Sequence, residues 1–149
     1  MNELEERRIE LVRKWMSIAA SDLAAGQALA ISPQSALWIH VAFHAQQSVE
    51  KMLKAYLVLQ DIDPPFSHNI GQILELCAQH GGAGWAREVD DARRLTPFAV
   101  QSRYPFEQDE LQRSEIEELL GIASRVGQIV GAVIEQEIDA RNGETIKEL

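Results

Sequence analysis

The stretch that most restricts how this chain folds is Ser35–Leu59, SALWIHVAFHAQQSVEKMLKAYLVL. Wound at about 100° per residue, it is apolar almost all round. Its polar residues His40, His44, Gln47, Lys51 and Lys54 fall in one sector of roughly 80°, opposite Trp38, Ala42, Ala45, Val49, Met52, Leu53 and Tyr56. A helix of this kind must be covered by other helices over most of its surface. The remaining chain therefore has to supply the cover.

It does so with further helical patterns. Leu4, Ile9, Leu11, Val12, Trp15, Met16, Ala19, Leu23 and Leu29 recur at helical spacing and predict a first helix from about Glu3 to Ala30. Ser32-Pro33 suits an N-cap and a first-turn proline for the second helix. So short a connection makes the two helices antiparallel neighbours. Asp61-Ile62-Asp63-Pro64-Pro65-Phe66 is a turn no helix passes through, and Ser67 is placed to cap a third, shorter helix with Ile70, Ile73, Leu74 and Cys77 inward. Gly81-Gly82-Ala83-Gly84 stops that helix. A segment from Trp85 to about Leu95 turns Val89, Ala92 and Leu95 inward until Thr96-Pro97 interrupts it. The last helix opens on a capping box, Ser114 to Glu117, and runs to about Ala140, with a frayed tail after Arg141. Gly127 and Gly131 within it invite a neighbouring helix to approach closely. No strand alternation is present. The expected fold is all-α: one domain over residues 1–149, an up-and-down antiparallel bundle of three long helices and one or two short ones.

Composition narrows the function classes. At 149 residues and 46% apolar content the chain can bury a core without staples. The single cysteine, Cys77, rules out an internal disulfide framework and a zinc finger, and its apolar neighbours predict burial. The N-terminal MNELEERR is not a signal peptide, and no apolar run reaches a membrane span, so the expected compartment is the cytoplasm, with no membrane role. A formal net charge of −9 argues against autonomous tight nucleic-acid binding but leaves room for a local basic site.

Three constellations carry possible chemistry. The polar stripe is either a solvated seam or a groove in which His44, Gln47, Lys51 and Lys54 recognise an anion or a base. His40 and His44 have metal-ligand spacing but no third ligand on their face, so no metal or cofactor is expected. Glu50 lies on the apolar flank between Phe43 and Leu57, where a carboxylate needs a partner. Lys54, four residues on, is the local candidate, and Arg103 the distant one. Arg103-Tyr104-Pro105 places an arginine on a stiff turn suited to bidentate contact with phosphate or carboxylate. His68-Asn69 sits near a helix N-terminus. There is no glycine-rich phosphate loop, nucleophile elbow or HExxH pattern.

The run from His44 to Ala55, HAQQSVEKMLKA, then the proline turn with Ser67-His68-Asn69-Ile70, and then Arg103-Tyr104-Pro105 together resemble the HEPN domain family over about Trp15 to Ile134. The resemblance implies a helical bundle that dimerises. It also implies partnership with a minimal nucleotidyltransferase in toxin–antitoxin or defence-like modules, with the HEPN protein as the nucleotide- or substrate-binding subunit. Many relatives are metal-independent ribonucleases in which an arginine is followed four to six residues later by histidine. Here Arg103 matches the arginine, but Gln108, Asp109 and Glu110 occupy the histidine's places. That removes the obvious general base for attack by a 2′-hydroxyl. The reading is thus a non-catalytic homodimeric subunit binding a nucleotide or RNA through His44, Gln47, Glu50, Lys51, Lys54, His68, Arg103 and Tyr104. The alternatives are a ribonuclease toxin with an unconventional base and a purely structural dimerisation module.

Overall fold

The computed structural model describes residues 1–100 and 110–147. Its elements are α1 (Glu3–Ala30), a 3-10 turn (Ser35–Leu37), α2 (Trp38–Leu59), α3 (Ile70–Cys77), a π turn (Ala78–Gly82), α4 (Ala83–Glu88), a 3-10 segment (Asp90–Phe98) and α5 (Arg113–Lys147). Among the described residues there is no strand, and the all-α bundle expected from periodicity is what forms. No described helix is long and apolar enough to cross a membrane.

Helix α2 is the central rod. From Ser48 to Leu59 every residue except Lys51 is buried. α1 and α5 flank it, and α3 and the 3-10 segment close the remaining side. The core joins Val12 and Ala19 of α1, Val49, Leu53 and Leu57 of α2, Ile70, Ile73 and Leu74 of α3, Val89 and Leu95, and Val126, Val130, Ile134 and Ile138 of α5. Each large aliphatic side chain so buried contributes about 1.5–3 kcal/mol. Cys77 is fully buried in this core, 3.7 Å from the Leu53 carbonyl, and burial pushes its thiol up to about 12.

Several local expectations are corrected. Leu4 and Leu11 of α1 are exposed, because the turn after α2 covers only part of that end of the helix. Ser32 does not cap α2. Its hydroxyl accepts from the Gln34 N–H and its carbonyl from Trp38 Nε1, and the chain makes one 3-10 turn before α2 begins without a side-chain cap. α2 ends in a Schellman arrangement: the Ile62 N–H donates to the Leu57 carbonyl and the Asp61 N–H to the Val58 carbonyl. Asp61 takes the left-handed position, φ 61°, that glycine more often fills.

The cap of α3 is Asn69, not Ser67: its side chain accepts from the Gln72 N–H, while Ser67 accepts from the Asn69 N–H one turn earlier. The glycine run does not end the helical region but turns it. Gly81 has φ 90°, and a Cβ on Gly82 would stand 2.7 Å from the Cys77 carbonyl oxygen. The following helix breaks at Val89, and Pro97 lies inside the 3-10 segment rather than interrupting it. That segment is fastened to α5 by Arg94–Glu118 and Arg125–Asp91.

At the start of α5 the glutamate arm of a capping interaction forms two residues earlier than expected. Glu115 accepts from the Gln112 N–H at 3.0 Å, and the Gln112 carbonyl accepts from Ile116. α5 continues to Lys147, beyond the expected end near Ala140. Gly127 has open space around it, and Gly131 only a methionine methyl at 4.0 Å, so neither marks a close approach. The close approach is at Gly26 of α1, where a Cβ would meet Leu120 at 3.1 Å and His44 Cβ at 3.4 Å.

Candidate functional site

The polar residues of α2 divide into two rows. Gln46, Glu50 and Lys54 are spaced four apart and form one. His44 and Lys51, two turns apart, form the other. Each row is completed by a residue from elsewhere in the chain.

Glu50 is the centre of the first. Its side chain is 5% exposed, and both carboxylate oxygens are engaged. Lys54 Nζ donates to Oε2 at 3.1 Å. Gln46 Nε2 donates to Oε1 at 3.1 Å, and His68 Nδ1 stands 2.8 Å from the same oxygen. A carboxylate only accepts, so Nδ1 carries the hydrogen and Nε2 is the ring nitrogen left for other partners. The fully buried Gln46 also donates from Nε2 to the His68 carbonyl at 3.2 Å, and its own Oε1 accepts from Gln47 at 2.6 Å. The imidazole is thereby fixed by its ring and by its backbone, yet its side chain is 62% exposed. The turn carrying it is held in place by the Ile70 N–H, which donates to Thr96 Oγ1.

The second row is closed by Asp22 of α1. One oxygen lies 3.0 Å from His44 Nδ1, and the other accepts from Lys51 Nζ at 2.6 Å. Asp22 is only 13% exposed, and Ser48 donates to the Ala19 carbonyl beside it. This cluster bonds α1 to α2. His40, one turn before His44, has its Nδ1 buried with no hydrogen bond among the described residues.

The stripe predicted along α2 is therefore partly covered: Lys54 is buried, and His40, His44, Gln47 and Lys51 are half-buried. Lys54 turns inward to Glu50 and Lys51 is matched by Asp22, so both lysines already have carboxylate partners. Glu50 finds the local partner, Lys54, together with His68. Arg103 and Tyr104 lie outside the described residues. Sequence reasoning missed Asp22 and Gln46. The signal for Asp22 was present: it sits between Ala19 and Gly26 on the buried side of α1, as Glu50 sits between apolar neighbours on α2. Gln46 was not singled out, although its i, i+4 relation to Glu50 placed it beside the carboxylate.

No group of three His, Cys, Asp or Glu suited to a metal occurs among the described residues. A shallow apolar groove of about 470 Å³ lies between α1 and the turn after α2, lined by Leu4, Leu11, Trp15, Val58, Ile62 and Pro64. It includes none of the predicted site residues.

The second helix of the all-α bundle carries a buried glutamate–lysine pair, followed by a histidine turn. The sequence profile described as HEPN domain matches residues 12–134. The chain belongs to the HEPN domain family. No curated protein matches it, and no solved structure does. Within the HEPN match lie both rows on α2, Asp22, and the His68 turn.

Proposed function

We propose that this HEPN domain is a binding subunit, which holds a nucleotide or nucleic-acid substrate at the His68 side of α2. The observation that carries the reading is the imidazole of His68, exposed at its outer edge and braced from behind by the buried Glu50–Lys54 pair. Lys51 and Lys54 spend their charge on Asp22 and Glu50, so contact with phosphate falls to His68 and Arg103, with Tyr104 stacking on the base. His44, Gln47, Glu50, Lys51 and Lys54 act behind them as the frame. In this reading the domain is a homodimer that partners a minimal nucleotidyltransferase in a toxin–antitoxin module. Calorimetry with ATP tests it: binding is expected, and Arg103→Ala weakens it. Absence of binding to the protein, alone or with a nucleotidyltransferase partner, removes the nucleotide from the proposal.

A second reading, a ribonuclease, is favoured by one observation. The carboxylate–imidazole pair Glu50–His68 has the form of a general base held by an acidic residue, and it supplies the imidazole missing after Arg103. Cleavage of labelled RNA that is abolished by His68→Ala and by Arg103→Ala would establish it. A structural dimerisation module predicts self-association with neither binding nor cleavage.

A further inference from the structure

We propose that the groove between α1 and the turn after α2 is the surface on which two copies of this chain meet, the Phe66 side chain of each seating in the groove of the other; the inference rests on the homodimer in the reading above. Phe66 is 101% exposed, the most exposed large apolar side chain among the described residues. It is also held stiffly. Pro64-Pro65 restrict the backbone before it, and after it Ser67 accepts from the Asn69 N–H and donates to the Gln72 side chain. A rigid aromatic side chain loses little freedom on docking, which suits an interface anchor. Two residues before Phe66, Pro64 of the same turn lines one wall of the groove, and Leu4, Leu11 and Trp15 of α1 line the other. Leu4, Leu11 and Ile18 are exposed and seven residues apart, so the apolar surface continues along one face of α1. The groove, about 470 Å³, is of the size that takes a small apolar ligand, and Trp15 offers an aromatic neighbour to an incoming ring.

Knob and groove belong to one turn, which is the condition for a closed two-fold contact: the rotation that seats one Phe66 also seats the other. The charges select a second copy as the occupant. A chain of net charge −9 repels its own copies over most of its surface. The groove is an exception. Its α1 wall carries Arg7 and Arg8, and its turn wall carries Asp61 and Asp63. Arg8 and Asp61 pair within the chain at 3.1 Å. Asp63 has no ion pair among the described residues. Arg7 is paired with Glu3, but the two side chains are 73% and 78% exposed, and such a pair is readily exchanged. The two-fold rotation carries the acidic turn of one copy, with its Phe66, to the basic wall of the other. Asp63 then faces Arg7 across the contact.

Sedimentation velocity of the full chain across a wide concentration range reads the contact. Wild type is expected to associate to a dimer and no further. Phe66→Ala, present twice in the contact, weakens association by at least about tenfold. Leu11→Glu weakens it further, because it places a carboxylate in the apolar groove. Both side chains are exposed, so the variants fold. Ile31→Ala is the control: this residue is 83% exposed beyond the other end of α1, and its loss leaves association unchanged. Arg7→Glu and Asp63→Lys each weaken the dimer, and the two combined restore it. Failure of the combination to restore it would overturn the Asp63–Arg7 contact. A dimer insensitive to Phe66→Ala and Leu11→Glu, or equally sensitive to Ile31→Ala, would overturn the groove as the interface while leaving the homodimer in place. A chain that stays monomeric at every concentration would overturn both and leave the groove to a partner of another kind.

Discussion

Two clusters on α2 have the same three ingredients, a carboxylate, an imidazole and a lysine, arranged to different ends. At Asp22 the carboxylate comes from α1, and both His44 and Lys51 come from α2. The bonds cross from one long helix to the other, and the imidazole lies within the seam. At Glu50 the carboxylate and lysine share one helix, and the imidazole arrives from a turn with its outer edge exposed. The first cluster spends its polar groups on joining helices. The second buries a charged pair to hold one side chain at the surface. Burying an ion pair is a poor way to stabilise a fold, so the cost at Glu50 is better understood as fixing His68 than as strengthening the bundle.

The comparison is broken most sharply by Glu50→Ala. Lys54 would be left charged and buried, and a loss of about 3–5 kcal/mol is expected in urea unfolding. If instead Glu50→Leu combined with Lys54→Met restores stability while ATP binding is lost, the pair is confirmed as a support for His68 rather than for the core. Asp22→Asn should cost less, about 2 kcal/mol, because the site is partly solvated and screened and an amide still accepts from one partner. Equal losses at Asp22 and Glu50 would erase the distinction between the two clusters.

Cys77 serves as a control in the apolar core away from both. Its folded-state value, about 12, stands above its ordinary 9.0, because burial disfavours the thiolate. The unfolded chain therefore releases this proton first as pH rises, and stability present below pH 9.0 is lost towards pH 12 at up to about 1.4 kcal/mol per pH unit. Chemical unfolding of wild type and Cys77→Ala across that range isolates the contribution. The smallest stability effect is expected at His68→Ala, under about 0.5 kcal/mol, although this variant should lose most ATP affinity. A large unfolding penalty there would show that His68 braces Glu50 rather than the reverse.

What could be read from the sequence follows the range of the interactions. Helical periodicity is local, so α1, α2 and the buried side of α5 were legible from residue spacing. The Glu50–Lys54 pair was legible for the same reason, since residues four apart on a helix are neighbours. Asp22 with His44 and Lys51, and His68 with Glu50, join residues brought together only by helix packing. Helix starts fell between these cases. Ser32, Ser67 and Ser114 all have capping chemistry, yet Asn69 and the Gln112–Glu115 pair perform it, because the direction in which the chain enters each helix decides which side chain reaches a free N–H. The sequence profile adds the family, but the partners of Asp22, His44 and Lys51, are identified only with the helices packed.

Gly26 gives the Asp22 cluster its dimensions. Leu120 from α5 and His44 from α2 both stand where a side chain on this residue would begin. The reach from Asp22 to His44 is therefore set by an absent methyl group. Alanine at position 26 would act as a wedge, with the flexible Leu120 yielding first and the α2 backbone second. The separation of α1 and α2, and with it the length of an ion-pair seam one turn away, is tunable by single carbon atoms at a site that carries no polar group of its own.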